Sequence, residues 1–371
     1  MRISRVNFRH LKLPLETRYG DANGLKQHRG SLLLRIETDN GIAGWGETFA
    51  YAVNRQNCEN VAAMLTGADA RHQRPLVEQV ARFDLRLAGA VDLALIDIVG
   101  KASGLSAAQL LGGAFRTAQP AYASLQNVTE DANVVDAAIG EAMRAMALGF
   151  RALKMKVGWH PVATDIEWVN AVIAALPAGV PIALDANRAL DLAGARRLLA
   201  GITDLNRVMW FEEPIANTSL PAHGELRMGA AVPIAGAESM PIAMIEQAID
   251  SRAMDIINPD LVGHGGFDRL RRLWVLCDIH GVRLVPHIFD GQIVRAGTVH
   301  FLATTPDWSE RQAPFRAAPV EYDISVNALR DDLLRDSLSL DADGNVIVPD
   351  APGLGIEINE NLLERYAVMA C

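Results

Sequence analysis

The chain has 371 residues, 50% hydrophobic and 21% charged, a balance that excludes a disordered protein and suits a large barrel-type domain beside a smaller one. A formal net charge of −9 with no basic stripe excludes a nucleic-acid partner. Cys58, Cys277 and Cys371 form neither a disulfide framework nor a zinc pattern, no apolar run nears the ~18 residues that span a bilayer, and Met1 to Phe8 reads as strand. The expectation is a cytoplasmic protein with no membrane partner.

In chain order, Ser31 to Thr38 is strand-like, and Asp39-Asn40-Gly41 is a hairpin turn, because Asn and Gly accept positive φ at little cost. The polar stretch 15–29, with Arg18, Tyr19, His28 and Arg29, has no face to bury and is predicted to be a mobile loop. Residues 57–113 are predicted mostly helical, with Val91, Leu95 and Ile98 at helical spacing. From Ala121 short apolar strands alternate with amphipathic helices. The first helix shows Val135, Ile139, Met143 and Met146 on one face and is closed by Gly149. Strands are predicted at 121–125, 152–157, 180–184, 208–211, 232–235, 255–257 and 282–285. This rhythm implies parallel strands with right-handed helical crossovers, hence a (β/α) barrel or a doubly wound sheet. No G-x-G-x-x-G follows a strand, which favours the barrel.

Barrels carry their chemistry at the C-terminal strand ends, and here each end holds a reactive group. Asp185, Glu212 and Glu238 follow one another at intervals of 27 and 26 residues, about one βα unit each, which sets them side by side. Three such carboxylates need a cation, and oxygen ligands without Cys or His select Mg²⁺ or Mn²⁺ over zinc. Lys154 and Lys156, two apart on one strand, both point inward. Side by side near a metal, each should have a lowered pKa, leaving one free to act as a base. His287 and Asp260 end neighbouring strands and can pair, the carboxylate fixing the imidazole tautomer. Asn187 can bind a substrate hydroxyl, and Glu213 should face away from Glu212. Glu321, if protonated, can donate a hydrogen bond to an enediolate. His264 reads as incidental, and Cys277 as a buried small hydrophobe.

In order along the chain, these motifs resemble the enolase superfamily, mandelate racemase subgroup. They include Gly44-Trp45-Gly46-Glu47, Leu110-Leu111-Gly112-Gly113, Lys154-x-Lys156, Asp185-x-Asn187, Trp210-Phe211-Glu212-Glu213-Pro214, Gly236-Ala237-Glu238, Pro259-Asp260, His287, Glu321 and Val348-Pro349-Asp350-x-Pro352-Gly353-x-Gly355. The resemblance implies a modified TIM barrel, (β/α)₇β, over 121–321, with an N-terminal α+β capping domain over 1–120. Residues 322–371 would pack back on that cap. It implies Mg²⁺ on Asp185, Glu212 and Glu238, Lys156 as base on one face, and the His287–Asp260 pair on the other. Lys154 would neutralise the substrate carboxylate, Glu321 would hydrogen-bond a carboxylate oxygen, and the protein would be a homo-oligomer, an octamer among the candidates.

The cycloisomerase branch carries a lysine after the sixth strand, where this chain has Val262-Gly263-His264, which argues against lactonisation. Arg18, Tyr19, His28 and Arg29 in the lid suggest a hydroxyl-rich, anionic carboxylate substrate. The expected reaction is dehydration of an acid sugar to a 2-keto-3-deoxy acid. The alternatives are racemisation or epimerisation of a 2-hydroxy acid, with Lys156 and His287 on opposite faces, and a non-catalytic ligand-binding barrel.

Overall fold

The computed structural model describes every residue except 53, 126–127, 130–132, 290, 309–313 and 371, and only the backbone at 17, 52, 128, 129, 369 and 370. The chain opens with β1 (Ile3–Asp21), β2 (Gly24–Thr38) and β3 (Ala43–Phe49), followed by helices α1 (Arg55–Leu65), α2 (Gln73–Ala81), α3 (Leu85–Ser103) and α4 (Ala107–Leu110). Alternation then sets in: β4 (Ala118–Ser124), the two-residue β5 (Val128–Thr129), α5 (Val134–Ala147), β6 (Leu153–Lys156), α6 (Val162–Ala175), β7 (Ile182–Asp185), α7 (Leu192–Gly201), β8 (Val208–Glu212) and α8 (Leu220–Gly229). It continues through β9 (Ile234–Gly236), α9 (Ile242–Asp250), β10 (Ile256–Ile257), α10 (Phe267–His280), β11 (Arg283–Leu284), α11 (Gln292–Ala303) and β12 (Val320–Asp323). Last come α12 (Ala328–Asp331), β13 (Asn345–Ile347), α13 (Glu360–Tyr366) and β14 (Ala367–Ala370).

Eight parallel strands curl in the order β11-β10-β9-β8-β7-β6-β4-β12, with a helix after each of the first seven in sequence. This is the modified TIM barrel, (β/α)₇β. The two ends of that order are drawn together where the Ile288 N–H donates to Glu321 at 3.1 Å. Strands β6 to β10 are buried throughout, so they read as continuous apolar runs interrupted only by Lys154, Lys156, Asp185 and Glu212. On α5 the buried face consists of Ala138, Ala142 and Ala145, while Met143 is exposed, contrary to the periodicity reading. The helix seats closely on the sheet through small residues, and Val135, Ile139 and Met146 flank that line half-buried.

The N-terminal sheet is antiparallel, order β14-β1-β2-β3, so the last strand of the chain pairs with the first. Helix α3 lies hard against it: a Cβ on Gly46 would stand 1.9 Å from the Ala90 carbonyl oxygen, which is why only glycine fits there. A second apolar core fills the space between this sheet and α1–α3.

One expectation is overturned. Residues 15–29 are not a loop: β1 and β2 run on as a hairpin, with Tyr19 paired to Lys26 and Asp21 to Gly24 across a tight turn. The stretch is polar because it covers a cavity rather than a core, and a register shift between Pro14 and Tyr19 re-aims it over the barrel. Among the described residues, no helix is long and apolar enough to cross a membrane. Cys277 is buried as expected, its thiol pushed up to about 12 by burial, and Cys371 lies outside the described residues.

Candidate active site

Strand pairing explains why distant residues meet. Lys156 pairs with Asp185 and Asp185 with Glu212 across β6, β7 and β8, so a lysine and two carboxylates stand abreast at one rim. Beyond each strand the backbone turns sharply. Asn187 (φ 42°), Arg188 (70°), Glu213 (39°) and Ala237 (84°) all occupy the left-handed region, at a cost of about 1–2 kcal/mol for a residue with a Cβ. Such conformations gathered at three adjacent strand ends mark a place where side-chain aim outweighs local stability.

The Lys154 ammonium is fully buried and lies 2.7 Å from Glu321 Oε1, 3.0 Å from Glu212 Oε1 and 3.4 Å from Asp185 Oδ2. Lys156 Nζ is 2.6 Å from Asp185 Oδ2. Both side chains point inward as the spacing required. Their pKa values, however, are raised and not lowered: burial opposes the charge, but the surrounding carboxylates outweigh it. The same pairs hold Asp185 well below the usual carboxylate range against the burial that opposes its charge, Lys156 acting most strongly. Glu212 is pushed up to about 7, by burial first and then by Asp185 and Glu321 working against Lys154. Glu321 is held low, since Lys154 and His287 overcome its burial, so it is a carboxylate and not the protonated donor expected.

On the other side of the rim, His287 Nδ1 meets Asp260 Oδ2 at 3.2 Å, through a backbone bridge between the two residues. The Gly263 N–H donates to the other Asp260 oxygen at 2.7 Å and steadies it. His287 Nε2 stands 3.4 Å from Glu238 Oε2. Burial works against the imidazolium, but Glu238, Asp260 and Glu321 together raise its pKa to about 10. His264 is structural: Nε2–H donates to the Met240 carbonyl, which leaves Nδ1 to accept from the Asp260 N–H, both at 3.0 Å. Glu213 turns away from Glu212, to Asn217 and Arg188, and is pushed up to about 8, by burial first and then by Glu238.

Asp185, Glu212 and Glu238 stand on consecutive strand ends but do not converge. Among the described residues, no three acidic, His or Cys side chains form a ready cation cage. The two lysines hold Asp185 and Glu212, and His287 draws Glu238 aside. The donor set still fits a hard divalent cation: all oxygens, on adjacent strands, with Glu238 Oε2 buried and, among the described residues, in no hydrogen bond, its one charge contact being His287 at 3.4 Å.

These groups open on a cavity of about 650 Å³ whose floor includes Lys156, Asn187, Glu238, Asp260 and His287. Asn187 Oδ1 is buried there without a hydrogen-bond partner, although β7 ends at Asp185 and the strand does not carry on to position 187. Of the predicted lid contacts, exposed His28 and buried Arg29 line the cavity. Arg18 is exposed and does not line the cavity, and Tyr19 is buried with its hydroxyl 3.1 Å from Ser325 Oγ. The hairpin instead presents Asp21 and Lys26, which sequence reasoning missed. Asn23-Gly24 is the same hairpin signal that located the turn at Asn40-Gly41, and applied here it would have placed both.

Residues 11–112 match the N-terminal domain of the mandelate racemase/muconate lactonizing enzyme family, and residues 137–362 match the enolase C-terminal domain-like family. Relatives include D-galactarolactone cycloisomerase of Agrobacterium fabrum, 33% identical with 99% of each chain covered, and arabinonate dehydratase of Saccharolobus solfataricus, 28% identical with 92% of each covered. A racemase from Streptomyces coelicolor A3(2), crystallised with bound magnesium, superposes with a TM-score of 0.85 at 25% identity, covering 99% of this chain and 100% of that one. The lysine criterion argues against lactonisation, yet one of these relatives is named a cycloisomerase, so lactone chemistry re-enters below. The chain belongs to the mandelate racemase/muconate lactonizing enzyme family of the enolase superfamily.

Proposed function

We propose that this enzyme removes the proton α to the carboxylate of an acid sugar and eliminates the β-hydroxyl, giving a 2-keto-3-deoxy acid. The observation that carries the reading is one cavity lined by both Lys156, on β6, and His287, beyond β11, five strands away in the sheet order, with the three carboxylate-bearing strand ends between them. Lys156 would act as the base on one face of the α-carbon from its neutral amine, a form favoured once the charge on Asp185 that now holds its ammonium is compensated. The C–H electron pair moves toward the carboxylate as the proton reaches Nζ. Lys154, buried among carboxylates, offsets negative charge on that carboxylate. The His287 imidazolium, held by Asp260, gives its proton to the β-oxygen as the C–O bond breaks, and water leaves. The enol then ketonises. Asn187 would accept from a substrate hydroxyl through its unpartnered Oδ1.

Mg²⁺ on Asp185, Glu212 and Glu238 would take over the charge that Lys154 and Lys156 now balance and would stabilise negative charge developing on the substrate carboxylate. Relatives named arabinonate dehydratase, glucarate dehydratase and D-xylonate dehydratase support the dehydration reading. The 33% identical cycloisomerase supports a second reading of the same elimination. If the leaving β-oxygen belongs to a ring, it stays attached, and the net change is an isomerisation.

With Mg²⁺ and a panel of aldonates and aldarates, the purified protein should form a 2-keto-3-deoxy acid, read as its semicarbazone, and EDTA should abolish the product. A panel that yields no keto acid, or a yield indifferent to EDTA, contradicts the proposal.

A further inference from the structure

The β1–β2 hairpin does more than close the cavity. Its inner surface carries one cation poised toward the bound ligand, and a separate cluster of buried charges fixes where that cation stands. Lys26 lines the cavity, with Nζ 4.0 Å from the centroid of the Phe289 ring and 3.4 Å from Asp21 Oδ2. Phe289 in turn stacks near His287, with ring centroids 6.5 Å apart. Lys26 therefore stands in the cavity wall with the Phe289 ring between it and His287, about a third exposed at 35%.

The other hairpin cation facing this ring is already committed. Arg29 has its Cζ 3.9 Å from the Phe289 centroid, but its guanidinium is buried against Asp323, which also takes Arg330 at 3.0 Å. Tyr19 meets Ser325 Oγ at 3.1 Å, which itself lies 2.9 Å from Asp323 Oδ2. This cluster ties both hairpin strands to the segment following β12, and so fixes the hairpin over the cavity. Asp21 is partly used by its own turn, accepting from the Asn23 N–H at 2.8 Å. Of the three donors on the Lys26 ammonium, one serves Asp21 and one side rests on the aromatic face, which leaves capacity for an anion in the cavity.

We propose that Lys26 is the receptor for a second carboxylate at the far end of the substrate, so that the enzyme prefers hydroxylated diacids over the corresponding monoacids. The proposal rests on the acid-sugar reading above and sharpens it to a substrate class. One end of the ligand is held at the strand ends and the other meets the hairpin, whose position Arg29 and Asp323 set. Burial, reinforced by Arg29 and Lys156, lowers the Lys26 pKa against the pull of Asp21, and an arriving carboxylate would relieve that cost.

The test is calorimetric titration of the full-length protein with Mg²⁺ present, in a Lys156→Ala background so that no ligand is consumed. Matched pairs differ only at the far end: galactarate against galactonate, and glucarate against gluconate. A charge-assisted hydrogen bond of this kind predicts that the diacid of at least one pair binds more tightly by roughly 10-fold to 100-fold. Lys26→Met should collapse that ratio toward one, and Lys26→Arg should keep most of it. The proposal is overturned by a ratio near one in both pairs, by two pairs with no measurable binding, or by a ratio that survives Lys26→Met. It is also overturned if Lys26→Met weakens diacid and monoacid equally. A diacid preference in a protein whose wild type turns over nothing would sink the proposed reaction and leave this receptor standing.

Discussion

The proposed reaction places its heaviest demand on Lys156 and His287. If they serve as base and acid, Lys156→Ala and His287→Asn should each lower kcat by roughly 10²–10⁴-fold, while circular dichroism shows the fold retained. Full activity in both variants would remove the two-group assignment. Both residues were legible in the sequence because strand period and βα-unit length are nearly fixed quantities. Two residues apart on a buried strand means one shared face, and about 27 residues means the next strand end. Protonation was not legible. The raised lysines and the charged Glu321 depend on which carboxylate lies 2.6–3.4 Å away, a distance no spacing rule supplies. Lys26 was missed for a different reason: the Asn23-Gly24 turn that places it was read as part of a loop, although it carries the same hairpin signal as Asn40-Gly41.

At the scale of elements, the hairpin depends on its anchor. Asp323 is buried between Arg29 and Arg330, and removing it strands Arg29 and leaves Arg330 with Asp331 as its ion-pair partner, so Asp323→Ala should cost about 3–5 kcal/mol in denaturant unfolding. Burial opposes the Asp323 charge, but the two arginines hold its pKa well below the usual carboxylate range. A folded-state pKa that lies below the unfolded one gives stability that is present above the ordinary carboxylate pKa and is lost as pH falls toward the depressed value. The wild type should therefore lose stability below about pH 4, and Asp323→Ala should lose less over the same interval. An equal acid loss in both proteins would show that the anchor contributes little. Helix α11 is placed by a comparable device: Glu47 of β3 accepts from the Ile293 N–H at 3.0 Å and from Ser31 Oγ at 2.6 Å. The sequence placed Glu47 in a motif; only the fold shows that it joins the N-terminal sheet to the last barrel helix.

Across the whole molecule, buried polar groups tie the N-terminal helices to the last barrel helix and to the segment around Leu354. Asp97 on α3 accepts from the Trp45 N–H at 3.2 Å and the Leu354 N–H at 3.0 Å, and His300 on α11 accepts from the Ala108 N–H at 3.2 Å. The other His300 nitrogen donates to the Leu354 carbonyl at 3.1 Å, so the ring must be neutral in the fold. Burial lowers its pKa to about 4 from the ordinary 6.5, with the bond to Leu354 acting the other way. The stability it contributes is complete above 6.5 and is lost as pH falls through about 4, a swing on the order of 3 kcal/mol. His300→Gln should flatten the pH dependence of the melting temperature in that window, and an unchanged slope would assign the acid sensitivity elsewhere. The fold class was legible at this scale because an alternating chain of this length has few packing solutions. The stitching was not, since each contact joins residues far apart in sequence.

The central claim is abstraction of an α-proton in the cavity between Lys156 and His287. Proton NMR of the wild type with Mg²⁺ and a panel of acid sugars in D₂O tests it most directly. The account predicts loss of an α-proton signal coupled to appearance of a 2-keto-3-deoxy acid, or of its ring-opened isomer when a lactone is supplied. Deuterium at the α-carbon without elimination would keep the proton transfer and reassign the reaction to racemisation or epimerisation. Unchanged α-proton signals across the whole panel, from folded protein with Mg²⁺ present, would contradict the claim.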